Sequence, residues 1–265
     1  MIIVFKKLIL LIYLIPLITL ANTGMNSDLL NQDNGKVILT VAIEEIGYFP
    51  YNYEENGEIK GFTIDVLNYF EANSKYDFEY IILPWSRALY LVEQGKVDLI
   101  LTLFKNKDRE KIYHFIEPSY GYEVNQLFTL TDSKFQFSGQ LNELTKYSIG
   151  TKRGYSYGET FDKTNDLTKL PVLNEEVLLK LLLSDRIDMA ISNPYVFNKL
   201  ISKYNVSNDV KPIWPYIDKT PVYLGMTKKR NDALEIKQAF GELTEQLKAS
   251  DYYLELLKKY HLDFK

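Results

Sequence analysis

Arg109 offers the clearest binding chemistry in the sequence. It follows a lysine-rich turn after Val97 to Phe104, an almost wholly apolar run that predicts a buried strand. A guanidinium just past such a strand can hold a ligand carboxylate through two parallel hydrogen bonds. A surface ion pair with Asp108 or Glu110 is the alternative for this side chain.

Other candidate contacts precede Arg109 in the chain. Thr102 closes the strand and could add a hydroxyl to the same ligand, or simply end the strand. Trp85 and Arg87 open an amphipathic helix that ends at Gly95, a residue suited to a left-handed C-terminal cap. Trp85 could be core or a platform for the ligand. Arg87 stands near a helix N-terminus, where a cation needs an anionic partner, so it is a candidate second carboxylate contact.

Aromatic residues form a second group of candidates. Tyr48 and Tyr51 flank Pro50 in an early loop, and rings of this kind can face a flat group or a cation. Because the chain has 21 tyrosines, a structural role is equally open for each of them.

The second half of the chain supplies Arg153, Tyr155 and Asn193. The first two lie in Gly150 to Gly158, between a predicted strand and a predicted helix. Free N–H groups at a helix N-terminus can bind an anion, which Arg153 would reinforce; a tight turn with a surface arginine is the alternative. Asn193 precedes Pro194, a pairing that predicts a helix cap.

Composition excludes several classes of site. The chain has no cysteine, so disulfides, thiolate metal sites and a cysteine nucleophile are ruled out. The formal charge of −4 disfavours nucleic acid as a partner. The two histidines are far apart, and no metalloprotease or serine-hydrolase motif is present. We therefore predict no catalytic residue, no metal site and no cofactor.

Residues 1–21 predict a signal peptide cleaved near Ala21. Lys6 and Lys7 precede the uncharged run Leu8 to Leu20, and small residues follow where a signal peptidase reads. The run is shorter than the roughly 20 residues that span a bilayer, although an uncleaved anchor is the alternative. Without a cysteine for lipid attachment, the mature protein is expected to be free in a periplasm.

Strand and helix patterns alternate after the leader. Strands are predicted at 37–43, 80–83 and 97–104, with a helix at 63–73 and the Trp85 helix between them. This order is typical of a parallel sheet covered by helices. Lys96 to Thr102 also lines up with Arg186 to Ser192 at a constant offset of 90 residues, which favours two similarly built α/β lobes.

The motifs W-x-R-A-L and G-K-V-D, an arginine eleven residues after that aspartate, and F-x-x-P-x-Y occur in this order. Together they resemble the bacterial periplasmic solute-binding proteins of the amino-acid-binding type, family 3. The resemblance implies a two-lobed periplasmic-binding-protein fold of class II type, with a helix-flanked sheet in each lobe and two crossover hinge strands. Lobe 1 would comprise residues 22–128 and 222–265, and lobe 2 residues 129–221.

The resemblance also implies a function. Arg109 would hold the α-carboxylate of a small polar ligand, and an aromatic ring near Tyr48 would stack on its side chain. The monomeric protein would deliver this ligand to the membrane permease of an ABC importer. Family members usually carry an aspartate at the place of Asn193, so Glu44, Glu45 or Glu123 could replace the missing charge, or the ligand could lack an amine.

Two alternatives use the same fold. One is a periplasmic enzyme similar to prephenate or arogenate dehydratases, and the other is a ligand-sensing module for a receptor kinase. Formation of a product would favour the enzyme, and a neighbouring kinase gene would favour the sensor.

Overall fold

The computed structural model describes residues 35–44 and 47–262, so the predicted signal peptide lies outside the described residues. Within them the chain forms ten strands: β1 (Val37–Glu44), β2 (Tyr53–Glu55), β3 (Glu58–Lys60), β4 (Tyr76–Leu83), β5 (Leu99–Phe104), β6 (Tyr113–Leu130), β7 (Ser148–Lys152), β8 (Thr168–Val172), β9 (Met189–Ser192) and β10 (Val210–Thr227). The α-helices are α1 (Phe62–Ala72), α2 (Trp85–Glu93), α3 (Lys107–Ile112), α4 (Glu159–Lys163), α5 (Glu175–Leu183), α6 (Pro194–Lys203), α7 (Ala233–Lys248) and α8 (Asp251–Lys259).

Eight strands form one sheet in the order β4-β1-β5-β10-β6-β9-β7-β8. Strands β4, β1 and β5 pair in parallel at one end, which we call the first half. Strands β9, β7 and β8 pair in parallel at the other end, the second half. Between the halves run β6 and β10, two antiparallel strands of 18 residues each. The predicted α/β class and large helix-flanked sheet are confirmed.

Both faces of each half are buried, as the apolar strands predict. In the first half, Leu39 and Val41 of β1 pack into one hydrophobic cluster, whereas Ala42 packs into another on the opposite face. In the second half, Met189 and Ala190 divide between two clusters in the same way. Because successive side chains of a strand point to opposite faces, a sheet covered on both sides needs apolar residues at every position.

The closing helices pack on the first half. Phe240 of α7 and Tyr253 of α8 belong to the same cluster as Leu39 and Phe70. The rings of Phe240 and Phe70 have centroids 5.0 Å apart. No helix within residues 35–44 and 47–262 is both long and apolar enough to cross a membrane.

Several predicted elements differ in extent. The strand expected at 80–83 begins at Tyr76. The turn expected around Arg109 contains the short helix α3, capped by the Asn106 side chain, which accepts from the Arg109 N–H at 2.9 Å. β6 pairs with β9 from Gln126 and β10 pairs with β5 from Val222, so both strands pass between the halves.

Candidate functional site

Arg109 and Trp85 contact one carbonyl oxygen of the second half. The indole Nε1 of Trp85 donates to the Gly154 oxygen at 3.1 Å, and the Arg109 Nη2 donates to the same oxygen at 2.9 Å. The Arg109 Nη1 donates to the Phe104 oxygen at 2.9 Å, at the end of β5. The guanidinium therefore joins the carboxyl end of a first-half strand to the loop after β7, an edge where open α/β sheets bind ligands.

Arg109 has no carboxylate partner among residues 35–44 and 47–262. The proposed surface pair is wrong, because Asp108 pairs with Lys111 and Glu110 pairs with Lys105. Burial lowers the pKa of Arg109, since desolvation disfavours its charge more than the nearby Asp162 carboxylate stabilises it. Such a cation can exchange its bonds to neutral carbonyls for stronger bonds to a carboxylate.

Thr102 is held in an unusual conformation with an unused hydroxyl. Its φ angle is 53°, a left-handed value that costs energy for a β-branched residue. Its N–H donates to the Tyr120 hydroxyl at 3.1 Å, and Thr63 donates to the same hydroxyl at 3.1 Å. Within the described part of the chain, the buried Thr102 Oγ1 has no hydrogen-bond partner. This hydroxyl is available to a ligand, as its predicted role requires.

The four predicted aromatic residues lie together, with Trp85 and Tyr48 against the Tyr155 ring and Tyr51 against Tyr48. The centroid of the Tyr155 ring is 5.0 Å from that of Trp85 and 5.9 Å from that of Tyr48, both in edge-to-face orientation. Tyr48 in turn stacks on Tyr51 at 5.7 Å, and the Tyr51 hydroxyl donates to the Tyr122 oxygen at 2.6 Å. Rings from both halves thus meet at the same place as the Arg109 contact.

A buried ion cluster adjoins these rings. The Lys152 ammonium contacts Glu44 and lies 3.0 Å from the Oε1 of Glu175. It also lies 4.0 Å from the Tyr155 ring centroid, and the Tyr155 hydroxyl donates to the Oε2 of Glu44 at 2.8 Å. Lys152 ends β7, Glu44 ends β1, and Glu175 begins α5. The cluster therefore occupies the carboxyl ends of strands from both halves.

Asn193 and Glu123 form the remaining polar pair. The Asn193 oxygen caps α6 by accepting from the Tyr195 N–H at 2.9 Å, which confirms the predicted cap. Its Nδ2 donates to the Oε1 of Glu123 at 3.1 Å. Burial raises the pKa of Glu123 well above its usual value, and the charges of Glu175 and Glu44 raise it further. Glu123 is the carboxyl group that stands beside the asparagine, one of the replacements that the sequence suggested.

Two predicted contacts, Arg87 and Arg153, are not brought into the cluster. The Arg87 side chain is exposed and lies 5.7 Å from the ring of its helical neighbour Tyr90. Arg153 is also exposed, and its backbone N–H donates to the Val172 oxygen at 2.8 Å. The loop between β7 and α4 offers the Gly154 carbonyl to the Arg109 cation, and α4 has only five residues. This loop therefore lacks the expected anion-binding geometry.

Lys152 and Glu175 are the functional candidates that sequence reasoning missed. Lys152 is the last residue of β7 and is buried, whereas Arg153 lies just beyond the strand and is exposed. Glu175 was not among the predicted contacts, because the helix dipole already favours a glutamate in the first turn of a helix. The available signal for Lys152 was its position within Gly150 to Gly158, a segment already predicted to hold ligand contacts. Glu45 lies outside the described residues.

Comparisons with known proteins agree with this architecture. Residues 39–263 match the family model for bacterial extracellular solute-binding proteins, family 3. The chain is 21% identical to a probable histidine-binding protein of Neisseria gonorrhoeae over 232 residues, which cover 85% of this chain and 83% of that protein.

Two solved structures show the same fold. The substrate-binding protein of an amino acid ABC transporter superposes with a TM-score of 0.69 at 18% identity, covering 84% of this chain and 99% of that one. A histidine kinase sensor domain similar to periplasmic binding proteins gives 0.74 at 16% identity, covering 86% and 97%. The matched family is one of extracellular proteins, which implies an exported, periplasmic location. The chain belongs to the bacterial extracellular solute-binding proteins, family 3, and to its amino-acid-binding type.

Proposed function

We propose that this protein binds a small amino-acid-type ligand between the two halves of the sheet and delivers it to the permease of an ABC importer. Arg109 holds the ligand carboxylate, and the rings around Tyr155 pack against the rest of the ligand. The lobes are residues 22–128 with 222–265, and residues 129–221, and β6 and β10 form the hinge. The mature protein is a periplasmic monomer from which the signal peptide, residues 1–21, has been removed.

The observation that carries this proposal is the state of Arg109. Its guanidinium is half-buried, has no carboxylate partner in the described ranges, and donates to one backbone carbonyl from each half. A ligand carboxylate would replace neutral acceptors with a charged one and would compensate the buried charge. Hydrogen bonds to charged groups contribute about 1.5–3 kcal/mol each, roughly twice the value of neutral ones.

Closure on the ligand follows from the same contacts. Arg109 and Trp85 belong to the first half, and Gly154 and Tyr155 belong to the loop after β7 in the second half. A ligand that contacts both sets binds the closed arrangement more tightly than an open one, so it shifts the equilibrium towards closure.

We infer binding rather than catalysis, because the relatives that match the sequence are described as binding proteins. A sensory role is the second candidate, supported by the likeness in fold to a histidine kinase sensor domain. It uses the same binding step and differs in the partner that reads the closed form. Co-purification with a permease, rather than with a kinase, distinguishes the two.

The test begins with a thermal-shift screen of amino acids, organic acids and small peptides on the purified protein, followed by calorimetric titration of the ligand found. Arg109→Ala should weaken binding by about 2–3 kcal/mol, the strength of hydrogen bonds to a charged group. Arg186→Ala is the matched control, because Arg186 is an exposed arginine of the second half. Equal affinity of Arg109→Ala and the wild type would refute the proposal, and appearance of a reaction product would favour the enzyme.

A further inference from the structure

The Lys152 ammonium has the surroundings of a bound ligand cation. Carboxylates of Glu44 and Glu175 lie on it, and the face of the Tyr155 ring lies 4.0 Å away. The side chains of Lys152, Glu44 and Glu175 are only 1%, 7% and 4% exposed. Two carboxylates and an aromatic face are the groups that recognise organic cations in proteins.

The two carboxylates on this ammonium need a cation between them. Glu44 and Glu175 are both buried, and burying carboxylates without positive charge is costly. If the Lys152 ammonium leaves, another cation must therefore take its place.

The cation cluster is adjacent to the proposed carboxylate contact. Gly154, whose oxygen accepts from Arg109, directly precedes Tyr155, whose hydroxyl donates to Glu44. The residue that follows the Arg109 contact thus carries the ring and the hydroxyl that contact the cation cluster.

We propose that Glu44, Glu175 and the face of Tyr155 form a subsite for the cationic group of a ligand, and that Lys152 is its internal occupant. This inference rests on the proposed function, and it names the ligand class: an amino acid whose side chain carries an ammonium or guanidinium. Such a ligand must displace the Lys152 ammonium, because both carboxylates and the ring already contact it. Lys152 is thus a specificity-determining residue that competes with the ligand.

The competition gives this subsite an unusual signature. Removing a residue that contacts the ligand weakens binding, whereas removing an internal competitor strengthens it. The gain should be confined to ligands with a distal cation, since a neutral side chain neither needs the two carboxylates nor displaces the lysine.

The first experiment tests the subsite without any amino acid. Lys152→Ala should be stabilised by n-butylammonium chloride in a thermal-shift assay, and n-butanol with matched sodium chloride should give no such gain. Wild type, whose lysine fills the subsite, should show no specific response. Lys180→Ala is the control for removal of an exposed lysine of the same half. Equal responses to the amine and the alcohol, or a variant that stays unfolded with the amine present, would overturn the subsite.

The second experiment tests its role in ligand selection. Lys152→Met keeps most of the side-chain volume, and calorimetry should show L-arginine binding about tenfold more tightly to it than to the wild type, while L-glutamine changes less than about twofold. L-arginine that binds neither protein, or binds the variant no better, would refute the selection role. The Arg109→Ala titration decides the proposed function separately from either result.

Discussion

The two halves of the sheet repeat one hydrogen-bonded turn. In the first half, the Oδ2 of Asp98 accepts from the N–H and from the hydroxyl of Thr40, both at 2.8 Å. In the second half, the Oδ2 of Asp188 accepts from the N–H of Ser148 at 2.7 Å and from its hydroxyl at 2.6 Å. The offset of 90 residues seen in the sequence is therefore a repeat of structure, in which an aspartate before one strand fastens the neighbouring strand.

The halves differ in what they add to this turn. Asp98 also accepts from Arg230 at 2.9 Å, and Arg230 pairs with Asp232 at the start of α7. Across residues 35–44 and 47–262, Asp188 has no ion pair. In the first half, the aspartate of this turn therefore also connects the strands to the start of the C-terminal helices. In the second half, the aspartate connects only neighbouring strands.

The buried cations differ in the same way. Arg109 of the first half is satisfied by two carbonyl oxygens, whereas Lys152 of the second half contacts two carboxylates. Arg109 therefore has carbonyl partners and no ion pair, whereas Lys152 is held between one carboxylate of each half, Glu44 and Glu175. The ligand proposed above, with a carboxylate and a distal cation, would match both contacts.

The largest difference in stability between the halves should appear when Asp98 and Asp188 are each replaced by alanine. Asp98→Ala should lower the free energy of unfolding by about 3 kcal/mol, because it removes charged hydrogen bonds and a partly buried ion pair. Asp188→Ala should cost about 1.5 kcal/mol, because only the hydrogen bonds to Ser148 are lost. Urea denaturation of both variants measures the comparison. Equal costs would show that the Arg230 connection adds no stability to the first half.

A smaller effect, dependent on pH, should come from the acidic cluster. Burial raises the pKa of Glu123, so the folded protein keeps a proton that the unfolded chain releases. The contribution of this proton to the free energy of unfolding is complete below the unfolded pKa of about 4.3. Above that pH the contribution declines by about 1.4 kcal/mol per pH unit until the folded pKa is reached. Glu123→Gln removes this decline, so its free energy of unfolding should depend less on pH from about pH 5 upward.

The measurement is urea denaturation across that pH range, with Glu255→Gln as the control at an exposed position of α8. Glu175, whose pKa is also raised by burial, contributes a decline of the same sign that remains in the variant. Identical pH profiles for Glu123→Gln and the wild type would show that Glu123 is ionised in the folded protein.

The sequence predicted most of the fold because its periodicities are local. The amphipathic helix predicted from Trp85 to Gly95 depends only on its own residues, and the structure has α2 at Trp85–Glu93. β6 and β10 were not predicted at full length. Their continuity depends on pairing with each other over 18 residues, and prolines interrupt the strand pattern of both.

The candidate site was predicted in part. Arg109, Trp85 and Tyr155 could be chosen by type and position, and they meet in space. Arg153 was predicted to reinforce an anion site at a helix N-terminus, but it lies exposed just beyond β7, whereas Lys152 at the end of that strand is buried. Which carboxylates surround Lys152 depends on contacts between residues 108 and 23 positions apart, which local patterns do not encode.

The smallest predicted effect on stability concerns the left-handed residue that follows α2 in the first half and α5 in the second half. Gly95 follows α2 with a φ angle of 69°, and its counterpart after α5 is Asp185, with a φ angle of 55°. A left-handed residue that carries a Cβ is strained by about 1 kcal/mol, whereas glycine is not, although glycine also adds entropy to the unfolded chain. Asp185→Gly should therefore raise the free energy of unfolding by about 0.5 kcal/mol.

The reciprocal change should have the opposite sign. A Cβ at Gly95 would lie 2.6 Å from the Cβ of Lys229, so Gly95→Ala meets both a steric contact and the left-handed strain. Asp185→Asn is the control, because asparagine tolerates the left-handed region about as well as aspartate. If urea denaturation found Asp185→Gly less stable than the wild type, the Asp185 side chain would have to stabilise the second half by more than its backbone strain costs. The two helix ends would then be equivalent in geometry but not in energy.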